Sequence, residues 1–354
     1  GVQFNYDAPA EVRHKSSGYQ PTLRIREGSR DLRAGIIGAG TYARATLLPA
    51  LQKAGWPRPL AITSATGLNA NALAKKYNIP TVAADADAVI NDPNVSVVFI
   101  LSRHDSHADL AEKALLAGKD VFVEKPIALN WEELERVEEA QRESGRILWA
   151  GFNRRHSDAV ARTQAFFAQC SGPMVATYRV NAGALPKSHW FHDRRQGGRL
   201  LGEVCHFVDT ISWILGVGPR AIAAFGDGHG ETALQQNLTL VMQYEDGSTA
   251  AVSYGAAGSP KVSKERLELT GRGHSVVIDD YVSITIDGRR SRLDAADKGH
   301  SANLVEFASA VTGKDPAREQ VHFSFVTTRV MLEAAEYLSS GQRETVFHVP
   351  GSTS

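Results

Sequence analysis

The sequence predicts an α/β protein: an N-terminal doubly wound parallel sheet, then an α+β domain with a largely antiparallel open sheet. Three observations lead there. Up to Gly151, short apolar strands alternate with helical segments, the rhythm of parallel sheets. A glycine-rich turn, Gly38-Ala39-Gly40-Thr41-Tyr42-Ala43, follows the first strand and opens a helix. After Gly151, strands follow one another through hairpin turns such as Glu245-Asp246-Gly247-Ser248.

The elements read as follows. Leu32 to Ile37 is a strand, and Tyr42 to Ala54 a helix that Pro49 should bend or interrupt. Leu60 to Ser64 is the second strand and Asn69 to Tyr77 the second helix. Val95 to Leu101 is a strand, and Ser106 to Ala117 a helix closed by Gly118 as C-cap. Val121 to Glu124 is the next strand. Asn130 opens a helix with Glu133 completing a capping box, and Ile147 to Gly151 ends the series. Beyond it, helices are expected at Ser157 to Cys170, Glu203 to Leu215 and Phe323 to Ser339. Strands are expected at 175–180, 237–244, 248–254, 266–270, 274–279 and 282–286. Residues 32–151 thus form a dinucleotide-binding domain and 152–354 a substrate-binding and oligomerisation domain. Residues 1–31 are polar and without period, and read as a linker or tail. The chain opens on Gly1, so this stretch is either a tag remnant or the continuation of an upstream domain.

Composition bounds the function. The 354 residues suffice for two cores. Lys plus Arg and Asp plus Glu both total 39, so nothing draws the chain to nucleic acid or anionic membrane. Its longest apolar runs, such as Val97-Val98-Phe99-Ile100-Leu101, are far too short to span a bilayer. Two cysteines, Cys170 and Cys205, make no disulfide framework, and no signal peptide is seen; a cytoplasmic setting is expected.

Gly38 permits the tight turn, Gly40 lets backbone approach a pyrophosphate, and Ala43 allows close helix–sheet packing. In its strand–turn–helix setting this is the Rossmann fingerprint, with the helix N-terminus facing the phosphates. The second strand ends Thr63-Ser64-Ala65-Thr66-Gly67, with no carboxylate for the ribose of NAD and no arginine for a 2′-phosphate. Hydroxyls without repulsion tilt the expectation from NAD slightly toward NADP, with Arg44 able to assist. Downstream, Glu124-Lys125-Pro126 closes the apolar strand Val121-Phe122-Val123 and sets a lysine beside the cofactor cleft.

These segments resemble the glucose–fructose oxidoreductase / inositol dehydrogenase (Gfo/Idh/MocA) family. The resemblance is carried by Gly35-Ile36-Ile37-Gly38-Ala39-Gly40, His107 to Leu116 with Ala117-Gly118-Lys119, and Val123-Glu124-Lys125-Pro126. Gly151-Phe152-Asn153-Arg154-Arg155 and Gly197 to Asp209 complete it. It implies an NAD(P)-dependent dehydrogenase or reductase acting on sugars, polyols or derivatives, sugar nucleotides included. It also implies cofactor contacts at Gly38, Gly40, Thr41, Tyr42, Ala43, Ser64, Thr66, Ser102, Arg103, His107, Glu124 and Lys125. A homodimer or homotetramer through the second sheet is implied as well.

His206 matches the family's catalytic histidine, whereas the aspartate four residues earlier is replaced by Gly202. Oxidising a carbinol needs a base for the hydroxyl proton, and histidine suits that work near neutrality. The expected roles are His206 as general acid/base, Lys125 as oxyanion stabiliser and Glu203 as substrate anchor. Glu203 lies three residues before His206 and shares its helix face; its plainer role is a first-turn helix acid. Substrate contacts are further expected from Asn153, Arg154, Asn181, Trp190 and His192, with Trp190 stacking on a sugar ring or simply packing its loop. The wording Asn181-Ala182-Gly183-Ala184-Leu185-Pro186 through Asp193 is similar to the C-terminal halves of bacterial enzymes that begin with a zinc-type alcohol dehydrogenase, a fused or partner unit here. His189, His192, Cys205 and His206 lack zinc-site spacing, so no metal is expected. The competing readings are a dinucleotide-sensing regulator and a supporting domain without turnover.

Overall fold

A computed structural model describes residues 23–25, 30–186, 188–227, 236–293, 296–315, 317–340 and 347–348. Its first layer is a six-stranded sheet of β1 (Ala34–Ile37), β2 (Ala61–Thr63), β3 (Thr81–Val82), β4 (Val97–Ile100), β5 (Asp120–Val123) and β6 (Leu148–Ala150). The strands are all parallel, in the order β3-β2-β1-β4-β5-β6. Strand order reverses between β1 and β4, so their carboxyl ends open a crevice where α/β sheets bind ligands. Around this sheet pack α1 (Leu48–Lys53), α2 (Leu68–Tyr77), α3 (Ala86–Ile90), α4 (His107–Leu116) and α5 (Trp131–Ser144).

The second sheet holds nine strands: β7 (Met174–Asn181), β8 (Pro219–Gly226), β9 (Leu238–Tyr244), β10 (Thr249–Gly255), β11 (Glu265–Gly271), β12 (His274–Asp279), β13 (Ser283–Ile286), β14 (Arg289–Arg292) and β15 (Phe347–His348). Only the β7–β10 pair is parallel. One face is covered by α7 (Cys205–Leu215) and the C-terminal helix, with α6 (Asp158–Phe167) packed on α7, as the strict burial alternation along β7 and β9 requires. The last helices are α8 (His300–Val311) and α9 (Arg318–Ser340).

The fold class agrees with expectation, and the differences have local causes. Pro49 marks a boundary, one of its two expected effects. The chain winds as a π-turn over Ala43–Leu47, and Pro49 then falls in the first turn of α1, where no N–H is needed. A second π-turn, Leu200–Val204, precedes α7, where a plain α-helix was expected from Glu203. The capping box at Asn130 forms: Asn130 Oδ1 accepts from Glu133 N–H at 2.9 Å, and the Glu133 carboxylate accepts from Leu129 N–H at 2.7 Å. Elements absent from the reading are β3, α3, β8, β14, β15 and α8. Of these α8 matters most, because it packs back on the first sheet. Phe307 stacks on Trp56 and meets Phe99, Phe122 and Trp149, while Trp149 Nε1 donates to Asn303 Oδ1 at 2.6 Å. Of the expected linker, residues 1–22 and 26–29 lie outside the described residues. Leu23 and Ile25 pack on the core, and the carbonyl of Arg24 accepts from Gln141 Nε2 at 2.8 Å.

Candidate active site

The crevice between β1 and β4 begins at Gly38. Its φ is +109°, and a Cβ there would lie 2.6 Å from the backbone carbonyl of Leu101, so only glycine fits. Above it, a Cβ on Gly40 would meet nothing within 4 Å, and the helix opening at Ala43 has no side-chain cap. The open turn is therefore a cradle of unshielded amides beside a helix N-terminus. Ser64, after β2, keeps a buried Oγ with no partner among the described residues. These features fit a bound dinucleotide, with Thr41 and Thr66 exposed at the rim.

Lys125 stands where β5 delivers it, its Nζ donating to the carbonyl of Gly202 at 2.5 Å. The preceding Glu124 has a buried, unpartnered Oε1, and its carboxyl is held above the usual range, chiefly by burial. The Tyr42 hydroxyl donates to that carboxylate, so the fingerprint helix and the Lys125 strand share a bond. Gly151 makes room, because a Cβ there would sit 2.5 Å from Glu124 Oε1.

Four residues after Gly202, α7 presents His206. Its imidazole is 8% exposed, lies edge-on to Phe152, and has an Nδ1 without a partner among the described residues. Burial, then the charges of Arg154 and Lys125, hold it well below the usual histidine range, so it is a neutral base at pH 7. Lys125 and His206 are thus brought together through Gly202.

The missing carboxylate at Gly202 has a steric cause. A Cβ there would lie 2.8 Å from His104 Cε1 and 3.1 Å from Phe191 Cζ. His104 is fixed by Gln196, whose carbonyl lies 2.7 Å from its Nδ1, and burial drives its pKa down to about 2. Glu203 does not take over. Its carboxylate is bound by Arg199 at 3.1 Å and by the Tyr254 hydroxyl. Arg199, 2% exposed, also donates to the Gly183 carbonyl at 2.7 Å, tying the Ala182–Asp193 loop to this turn.

Other expected contacts are placed differently. His107 is fully buried, and its ring nitrogens meet the carbonyls of Pro126 (2.8 Å) and Ser102 (3.3 Å). It braces the Lys125 loop instead of facing a cofactor. Ser102 bonds Ser106 at 2.7 Å. Arg103 lies 4.3 Å over the Trp190 ring, and Trp190 meets His104 edge-on, so this aromatic packs against the β4 loop. Arg154 grips Glu265 through two bonds of 2.7 and 2.8 Å, deep in the fold. The Asn153 amide donates to the Lys298 carbonyl at 2.7 Å. Asn181 falls with the outward residues of β7 and bonds the Ser259 carbonyl, away from Lys125. His192 keeps a buried Nε2 with no partner among the described residues.

Sequence reasoning missed Glu265, Lys298 and His300. Glu265 also accepts from Lys298 at 2.5 Å and Tyr178 at 2.9 Å. Its partners lie up to 111 positions away, and no local motif marks them. Among the described residues, no group of three or more His, Cys, Asp or Glu side chains could hold a metal ion. No described helix is long and apolar enough to cross a membrane.

Residues 32–152 match the model of the Gfo/Idh/MocA oxidoreductase family with its NAD-binding Rossmann fold, and residues 172–277 match that family's C-terminal domain. This chain belongs to the Gfo/Idh/MocA family. The 1,5-anhydro-D-fructose reductase of Ensifer adhaerens is 25% identical over 333 residues, covering 88% of this chain and 99% of the relative. The trans-1,2-dihydrobenzene-1,2-diol dehydrogenase of Mus musculus is 29% identical, but the match spans 61% of this chain and 66% of that relative. An oxidoreductase domain protein from Kribbella flavida superposes with a TM-score of 0.77 at 21% identity, covering 90% of this chain and 99% of that one, which shows a shared fold.

Proposed function

We propose that this Gfo/Idh/MocA protein is an NAD(P)-dependent oxidoreductase acting on a CH–OH carbon of a sugar, polyol or sugar derivative, sugar nucleotides included. The observation that carries the reading is His206: a buried, neutral imidazole with an unpartnered Nδ1, on the turn to which Lys125 is anchored. The relatives' names, dehydrogenases and reductases of sugars and diols, support it. The nicotinamide supplies the hydride acceptor or donor when bound.

The chain's own residues do the rest. In the Nδ1–H tautomer, His206 takes the hydroxyl proton on Nε2, the ring nitrogen that is not sealed from solvent, in oxidation and returns it in reduction. Lys125 spends one N–H on Gly202 and has two left for the developing oxyanion. The Gly38–Ala43 turn holds the pyrophosphate. The unpartnered Ser64 Oγ and the carboxylate-free β2 loop favour NADP over NAD. The outer face of the second sheet, with Val175 and Phe225 each 57% exposed, supports a homo-oligomer. The test is alanine replacement of Lys125 and of His206, with turnover measured beside fluorescence titration of NADPH and NADH. Turnover is lost, both variants still bind cofactor, and NADPH binds more tightly. Near-normal turnover in both variants refutes the assignment, and tighter NADH refutes the cofactor preference.

A further inference from the structure

His104 enters the site from a third direction. Lys125 comes from the end of β5 and His206 from α7, whereas His104 opens the short turn His104–Ser106 that follows β4. Strands β4 and β5 are neighbours, so this turn stands at the mouth of the crevice beside the Lys125 loop. The Gly202 turn closes on it from the other domain. A Cβ at Gly202 would sit 2.8 Å from His104 Cε1, and the Gly202 carbonyl holds Lys125 Nζ. The imidazole and the ammonium therefore flank one and the same residue.

The ring is held in one pose and one tautomer. Its Nδ1 lies 2.7 Å from the backbone carbonyl of Gln196, a buried residue. A carbonyl only accepts, so Nδ1 carries the proton and Nε2 keeps a bare lone pair. Turning the ring over would set Cδ2 against that carbonyl and forfeit the bond. Gln196 Oε1 also takes the Asp105 N–H at 3.4 Å, so one residue grips the turn twice. Trp190, His107 and Phe191 lie 4.7, 5.5 and 5.7 Å from the imidazole between ring centres and hold it in place. Burial, then the charges of His107, Lys125 and Arg103, keep the ring neutral, so no proton covers the lone pair near pH 7. Nε2 has no hydrogen-bond partner among the described residues, yet it is not sealed from solvent, unlike His206 Nδ1. A fixed, bare acceptor on a largely buried ring costs free energy until a donor meets it. Ether and carbonyl oxygens bring no proton to it; a hydroxyl does.

We propose that His104 is a substrate-binding residue whose Nε2 accepts a hydrogen bond from a second hydroxyl of the substrate, while His206 and Lys125 hold the reacting one. The substrate is thus a polyhydroxy compound with a free hydroxyl near the carbon that is oxidised, and His104 selects for that hydroxyl. This inference rests on the oxidoreductase reading above.

Nitrogen-15 NMR of the histidine rings in the intact chain reads the tautomer directly and needs no variant to fold. His104 shows Nδ1–H and a bare Nε2 that does not titrate between about pH 5 and 8. An Nε2–H tautomer, or a charged ring in that range, overturns the inference. The chain saturated with reduced cofactor, so that no oxidation occurs, is then titrated with D-glucose, myo-inositol, D-gluconate and UDP-glucose. The probe that binds moves the His104 Nε2 signal. His104→Asn keeps an N–H for the Gln196 carbonyl but has no atom at the Nε2 position, and it weakens that probe about five- to ten-fold. His104→Gln, whose amide oxygen reaches that position, recovers the affinity within about two-fold, and both variants bind cofactor as the parent does. Probe binding that leaves Nε2 unmoved, or that is equal in the parent and His104→Asn, overturns the inference while the oxidoreductase reading stands. Failure of the cofactor, or of all four probes, to bind overturns both.

Discussion

Gly202→Asp puts a carboxylate where the family resemblance leads one to expect it, and the structure says that it will not fit. The new Cβ would lie 2.8 Å from His104 Cε1, closer than side-chain carbons approach, and 3.1 Å from Phe191 Cζ, a tight contact. Neither neighbour is free to yield. His104 is 5% exposed and pinned by the Gln196 carbonyl at 2.7 Å, and Phe191 packs on Trp190 at 4.3 Å between ring centres. Overpacking of this kind costs about 1–3 kcal/mol. Melting should therefore fall by roughly 1–4 °C, at about 1.3 °C per kcal/mol for a chain of 354 residues. The assay is thermal unfolding of four proteins: the parent, Gly202→Asp, His104→Ala and the double variant. His104→Ala alone loses the Gln196 bond, worth about 1 kcal/mol. The double variant opens the space, so its loss should fall short of the sum of the singles by at least about 1 kcal/mol, a coupling that marks direct contact. Activity should drop in Gly202→Asp as well, because Lys125 is held by the Gly202 carbonyl. A Gly202→Asp protein as stable and active as its parent, with additive effects in the double variant, would refute the steric reasoning.

Two further outcomes follow from the buried charges. Glu265→Ala strands Arg154 and Lys298 without their carboxylate; breaking a buried pair costs about 3–5 kcal/mol, so differential scanning should show melting at least about 4 °C lower. An unchanged melting point would mean that the pair is solvated. Stability should also decline in mild acid. His104, His107, His206 and His300 all have pKa values lowered by burial, His104 to about 2 and His300 to about 4. The unfolded chain binds protons from about pH 6.5 downward while the folded protein does not, so this stability is whole above that value and falls as pH drops below it. Each such histidine costs up to about 1.4 kcal/mol per pH unit, which predicts a steep fall in melting temperature between pH 6.5 and 4.5. A flat profile there would contradict the buried neutral histidines.

What the sequence disclosed depended on distance along the chain. The fingerprint Gly38–Ala43, Lys125 at the end of β5 and the Asn130 capping box are local patterns, each readable within a few residues, and the structure shows the tight turn at Gly38, the bond from Lys125 to Gly202 and the cap at Asn130. The strand β14, Arg-Arg-Ser-Arg with every residue exposed, has no apolar alternation to reveal it. In β8 the alanine-rich run gave too little contrast. Helix α8 went unread although Phe307 is wholly buried, because its core partners belong to the first sheet. Site residues were hidden for the same reason. Glu265 acquires meaning only when the second sheet sets it against Arg154 from 111 positions earlier. His107, read as a cofactor contact, is a brace because both its nitrogens face carbonyls that only the fold brings near.

The central claim is that His206 moves the substrate proton beside an anchored Lys125. Single-turnover hydride transfer in His206→Asn, followed by nicotinamide absorbance with cofactor affinity measured alongside, tests it most directly. The account predicts a transfer rate lower by about 10²–10⁴, the usual worth of a general base, with cofactor affinity unchanged. Transfer at the parent rate would contradict it.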